Sequence, residues 1–117
     1  MSEALLKEPL SLLSRADVSR KLANSKLKME TKSAFGQYMT PATVATFMAS
    51  LFPVPSNQNI RLLDPGADVG SLTSAFVERL CKGKTGYRID VDAYEIDPIM
   101  RPYLAYRFRL GRLWIFA

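Results

Sequence analysis

The chain has 117 residues, 48% of them hydrophobic and 23% charged, with a formal net charge of +5. That length suits one domain or part of one, and ordinary globular usage excludes wholesale disorder. The single Cys81 excludes an internal disulfide, the lack of histidine excludes a zinc site of the usual kind, and no apolar run approaches the ~20 residues that span a bilayer.

A reducing, cytoplasmic setting is the expectation, and Glu3, Lys7 and Glu8 interrupt any secretory pattern at the N-terminus. Apolar Leu12, Leu13 and Ala16, then Val18, Leu22 and Ala23, predict a helix from about Ser11 to Lys28 behind a loosely ordered arm broken by Pro9. Its basic residues Arg15, Arg20, Lys21, Lys26 and Lys28 are expected to face solvent. A polar connection, Ser33 to Pro41, follows. Thr40 suits an N-cap and Pro41 the first helical position, where its missing N–H has no partner to lose. The helix Pro41–Leu51 carries Val44, Phe47, Met48 and Leu51 on one face, and Pro53 and Pro55 stop it.

Ile60–Leu63 reads as a buried strand that ends in Asp64-Pro65-Gly66. Leu72, Phe76, Val77 and Leu80 then line a helix from Ser71 to Cys81, with Glu78 and Lys82 spaced for an ion pair. After a glycine-containing loop, Tyr87–Glu95 alternates as a second strand, with Asp90 and Asp92 on one face as an exposed side rather than a metal pair. Ile99–Arg109 places Met100, Leu104 and Phe108 at helical spacing; Gly111 breaks it, and Leu113–Phe116 is a short third strand or an apolar tail. This order calls for a parallel sheet with right-handed crossovers. Charge is uneven: residues 1–32 hold seven basic and four acidic groups, 33–98 five and seven, and 99–117 four arginines and no acid. Basic ends suit a polyanion partner, and solvated helix faces account for them equally well.

The informative stretch is Leu63-Asp64-Pro65-Gly66-Ala67-Asp68-Val69-Gly70-Ser71-Leu72-Thr73. A strand, a tight turn and a helix start set backbone N–H groups against a ligand. Gly66 and Gly70 permit close approach and positive φ. Glu95, at the end of the next strand, can accept hydrogen bonds from two ribose hydroxyls, a group that nicotinamide dinucleotides and S-adenosylmethionine both present. Only Gly66 and Gly70 are available, spaced G-x-x-x-G, short of the dinucleotide fingerprint. An adenosyl ligand without a pyrophosphate fits better.

Gly36-Gln37-Tyr38-Met39-Thr40-Pro41, the stretch Leu63–Thr73 and Tyr94-Glu95-Ile96-Asp97-Pro98 together resemble three ordered motifs of the adenine-N6 DNA methyltransferases of restriction–modification systems. The resemblance spans about residues 30–100. It implies S-adenosylmethionine as cofactor and double-stranded DNA as the partner of the complete enzyme. It places Tyr38 and Thr40 near the methionine end, Asp64 through Gly66 to Gly70 as the floor with Asp64 toward the methionine amino group, Glu95 on the ribose hydroxyls and Ile96 against the adenine.

Three departures accompany it. Met39 stands where the family has an aromatic, a space a flexible methionine fills. Asp68 stands where the family has glycine, bringing a β-carbon and a negative charge against the cofactor, although aspartate tolerates a left-handed backbone better than most residues. No Pro-Pro occurs, so the motif that holds a flipped adenine is missing.

The resulting expectation is a truncated, Rossmann-like α/β methyltransferase fold. Residues 1–33 form an N-terminal helical arm and 34–117 a partial S-adenosylmethionine-binding domain. Such a chain is the front third of an enzyme: its cofactor half, without catalytic residues of its own and inactive alone. Its uncovered sheet edge and apolar face favour self-association or a partner chain. The alternative is a non-enzymatic remnant of the same fold that holds no cofactor tightly.

Overall fold

The computed structural model describes residues 11–26, 39–83, 86–107 and 113–116. The elements in order are α1 (Leu12–Lys26), α2 (Ala42–Ser50), β1 (Asn59–Asp64), α3 (Ser71–Gly83), β2 (Arg88–Tyr94), α4 (Arg101–Arg107) and β3 (Leu113–Phe116). Leu113–Phe116 is therefore a strand rather than a tail. The sheet is parallel, in the order β1-β2-β3, with Ile60 opposite Ile89 and Asp64 opposite Ala93. The N-terminal arm, Lys28, Phe108 and Gly111 lie outside the described residues.

Alternation along the strands sorts the two faces of the sheet. Ile60, Leu62, Ile89, Val91 and Ala93 point to the helices. Ile60 packs with Ala45 and Ala49 of α2 and with Ala75, Phe76 and Leu80 of α3, and Leu13 of α1 closes that cluster. Val91 and Ala93 pack under Leu104 of α4 and Ala67 of the loop after β1. The opposite face carries Arg61 paired with Asp92 at 3.4 Å and Arg88 with Asp90 at 3.6 Å. Such exposed pairs are worth at most about 1 kcal/mol each, and they account for Asp90 and Asp92 without a metal. Among the described residues no cluster of acids, cysteine or histidine could hold a metal ion, and no helix is long and apolar enough to cross a membrane.

Several local expectations are overturned by contacts distant in sequence. In α2 the buried residues are Ala45 and Ala49, whereas Val44, Phe47, Met48 and Leu51 are exposed. Small side chains let α2 lie close on α3, which turns the larger residues outward. Thr40 does not cap this helix. Pro41 occupies the N-cap position with no side-chain cap, and Asp17 of α1 accepts the Ala42 N–H at 3.1 Å. Glu78 does not pair with Lys82; it accepts the Leu13 N–H at 2.7 Å and so completes the start of α1. Arg79 donates to the carbonyls of Ala49 and Phe52, satisfying the end of α2, whose last carbonyls have no partner inside the helix.

In α1, Ala16 and Ala23 are buried while Val18 and Leu22 are exposed. Arg20 does not project freely into solvent, because Asp17 holds it at 2.9 Å. That pairing, ahead of the opposing cost of burial, keeps the Asp17 carboxyl below its ordinary 3.8.

Candidate cofactor site

The site forms where β1 and β2 end side by side. Parallel pairing brings Asp64 level with Ala93, so the loop after β1 meets Glu95 just beyond β2. The two ends are joined through the loop backbone: Ala67 N–H donates to the Tyr94 carbonyl at 2.9 Å and Asp68 N–H to Glu95 Oε2 at 3.1 Å. Glu95 Oε1 accepts the Asp97 N–H at 3.4 Å. The Glu95 side chain, 5% exposed, thus spans both strand ends. Burial raises its carboxyl above the ordinary 4.5, against the lowering effect of these N–H donors.

The loop turns into α3 through two residues of positive φ, Asp68 at +49° and Gly70 at +88°. Of the two glycines expected to supply left-handed backbone, Gly70 does so; Gly66 does not, and Asp68 takes that conformation instead. A Cβ added at Gly66 would meet nothing within 4 Å, so the space above that residue is open. The Gly70 N–H donates to the Ala67 carbonyl at 2.7 Å, and the Ser74 N–H to the Gly70 carbonyl at 2.9 Å, which starts the helix at once.

Asp64 and Glu95 are each held by a group that the motifs alone did not single out. Thr73, in the first turn of α3, donates its hydroxyl to Asp64 Oδ2 at 2.6 Å, fixing one carboxylate oxygen. Arg101 of α4 donates to the Glu95 carbonyl at 3.0 Å and the Ile96 carbonyl at 2.9 Å, so the backbone beyond β2 is clamped. Asp97 accepts the Ile99 N–H at 2.8 Å, the helix-start role that Asp-Pro suggests. Thr73 lies within the Leu63–Thr73 stretch without a role of its own there; Arg101 had no local signal.

The predicted residues fall out as follows. Asp64, Gly66, Gly70, Glu95 and Ile96 lie at one end of the sheet, and Ile96 is 63% exposed, a strand-end apolar side chain with no cover. Met39 is buried with Ala23, Val69 and Met100, which holds the chain beside Thr40 against the loop that contains Val69. Tyr38 lies outside the described residues. An apolar recess of about 220 Å³ lies between α2, β1 and α3, lined by residues that include Met48, Phe52, Leu63 and Phe76, and it is continuous with the motif through Asp64, Pro65 and Thr73. Asp68 and Glu95 do not line it.

The parallel order β1-β2-β3 with intervening helices and carboxylates at the strand ends is a Rossmann-like α/β arrangement, the fold of the class I S-adenosylmethionine-dependent methyltransferases. The chain superposes with a TM-score of 0.53 on a Listeria monocytogenes protein assigned to that class, over 66% of this chain and 25% of the other, at 19% identity. In sequence, the chain is similar to two Type II methyltransferases. It is 40% identical over 104 residues to Type II methyltransferase M.BsuBI of Bacillus subtilis and 38% identical over 100 residues to Type II methyltransferase M.PstI of Providencia stuartii, covering 89% and 86% of this chain. No family model matches the sequence. The chain spans about a fifth of the length of these curated relatives, 20% and 19%, less than the third that the motifs alone suggested.

Proposed function

We propose that this chain is the S-adenosylmethionine-binding part of a DNA adenine-N6 methyltransferase of the restriction–modification type. The observation that carries the reading is Glu95, a buried carboxylate at the end of β2 bonded to the backbone of the loop after β1. Each of its oxygens already accepts one N–H and keeps a further lone pair, which suits two vicinal ribose hydroxyls. Exposed Ile96 offers an apolar surface for the adenine, the open space at Gly66 would admit the ligand, and the second oxygen of Asp64 would accept from the methionine ammonium. Tyr38 and Thr40 complete the methionine end. The donor set fits an adenosyl group with no pyrophosphate.

When bound, the cofactor supplies an electrophilic methyl on its sulfonium, and the protein's share is orientation and electrostatics. Double-stranded DNA is the substrate of the whole enzyme in this reading. The chain alone, without a Pro-Pro motif, transfers no methyl group. Residues 1–33 serve as the arm and 34–117 as the cofactor domain, with α1 as a cover over the domain core. A cytoplasmic location belongs to the same reading.

Isothermal titration calorimetry tests the binding. Saturable heat with S-adenosylmethionine and none with NAD is the expected result, together with at least a tenfold loss of affinity in Glu95→Ala checked for folding by circular dichroism. No heat with S-adenosylmethionine would leave a fold remnant that holds no cofactor.

The outward apolar face of α2 supports a further part of the proposal. Phe47 and Leu51 are 64% and 67% exposed, and the edge of β1 beside them carries no described strand. We expect the isolated chain to self-associate through this region. Light scattering across a concentration series checks it: a rising apparent mass is predicted, and a constant monomer mass at high concentration would refute it.

A further inference from the structure

Asp68 is the non-glycine residue of positive φ among the described residues. Its φ of +49° is a conformation that glycine adopts at no steric cost. The residue is half-buried and its N–H is bonded to Glu95 Oε2 at 3.1 Å; burial, and after it the charges of Glu95, Asp64 and Asp97, raise its carboxyl above the usual carboxylate range. Among the described residues no hydrogen bond is made by the Asp68 side chain, and no ion pair reaches Asp64, Asp68 or Glu95, although the chain as a whole carries a net charge of +5. Asp64 and Glu95 have structural donors in Thr73 and the loop backbone. The Asp68 carboxyl has none. A strained backbone and a desolvated charge at one residue are costs that persist where a ligand makes use of them.

The ligand chemistry that relieves such a group is a cation. This rests on the cofactor reading above. S-adenosylmethionine carries a sulfonium in addition to its amino-acid ammonium and carboxylate; once the methyl has left, the sulfur is a neutral thioether and the molecule has lost one positive charge. A half-buried carboxylate in the loop between the strand ends discriminates between the two without touching the sulfur, because Coulomb attraction acts beyond contact distance and is screened less than in bulk water.

We propose that Asp68 makes the cradle charge-selective, favouring the sulfonium cofactor over its demethylated product. The glycine expected at this position would accept both alike on electrostatic grounds, so the substitution converts a passive turn residue into a specificity-determining one.

Titration of the whole chain at pH 8 with S-adenosylmethionine and with S-adenosylhomocysteine tests this, in the natural sequence, Asp68→Asn and Asp68→Gly. Asparagine keeps the size and tolerates a left-handed backbone, so it removes charge alone. The natural chain is expected to prefer S-adenosylmethionine at least tenfold, and Asp68→Asn to bring the preference within about threefold by weakening S-adenosylmethionine. An unchanged preference in Asp68→Asn overturns the charge selection while leaving the cofactor site intact. Binding gained only on substitution would show that Asp68 excludes the cofactor and would also overturn it. Failure of all three chains to bind either molecule would remove the cofactor reading itself.

Discussion

Leu104→Ala is expected to destabilise the chain by about 3 kcal/mol, the middle of the range for truncating a buried leucine. Leu104 is fully buried on α4, against Val91 and Ala93 of β2 and Ala67 of the loop. Its partners are mostly small and fixed in the sheet, so they cannot move in to fill the space. The loss therefore combines transfer free energy with a residual cavity. The same truncation removes the packing beneath Ala67, whose N–H is bonded to the Tyr94 carbonyl, and it should weaken binding of the proposed cofactor as well as the fold. Urea denaturation followed by circular dichroism measures the first effect. Val18→Ala, at an exposed position of α1, is the control and should stay within about 0.5 kcal/mol of the natural chain. A Leu104→Ala midpoint equal to that of the control would show that α4 does not carry the packing described.

The second large effect is a dependence of stability on pH. Burial, and after it the nearby carboxylates of Glu95, Asp64 and Asp97, raise the Asp68 carboxyl from 3.8 to about 6. The folded state therefore holds the Asp68 proton more tightly than the unfolded state. The associated stability is fully present below about pH 4 and is lost as pH rises through about 6. Glu95 is shifted in the same direction and adds to the fall. The paired Asp17 is shifted the other way; it loses stability toward low pH but is common to both chains in the comparison that follows. Asp68→Asn removes the ionising group while keeping its shape. That variant should be more stable than the natural chain by on the order of 2 kcal/mol at pH 8, after allowance for partial exposure, and equal to it within error near pH 4. Denaturation at the two pH values decides the matter: a constant difference between the chains across that range would mean that Asp68 does not titrate with folding.

The Asp68→Asn variant tests both effects of this charge. If it gains stability at pH 8 and loses preference for the sulfonium cofactor, the same charge costs the empty fold and serves the bound one. Proteins commonly give up stability at a site in this way, because a group placed for a ligand is not placed for its own comfort.

What was legible in the sequence is what neighbours in the chain decide among themselves. The alternation of Tyr87–Glu95, the stop at Asp64-Pro65-Gly66 and the helical spacing of Leu72, Phe76 and Leu80 depend on short-range periodicity, and β1, α3 and β2 lie where those patterns put them. Asp64 and Glu95 could be named in advance because each closes a strand, and parallel pairing carries both to one end of the sheet. Only the tertiary structure decided which face of α2 is buried, since both the Ala45–Ala49 stripe and the larger apolar stripe have helical period, and close approach to α3 selected the smaller. It likewise decided that Asp17 and Glu78 serve the starts of helices 25 and 65 residues away, that Arg79 satisfies the end of α2, and that Arg101 clamps the backbone after Glu95. These are bonds between groups remote in sequence, which no local pattern encodes. The same holds for Asp68: the sequence marked it as an aspartate in a glycine's place, and the fold half-buried it among carboxylates, which together raise its carboxyl.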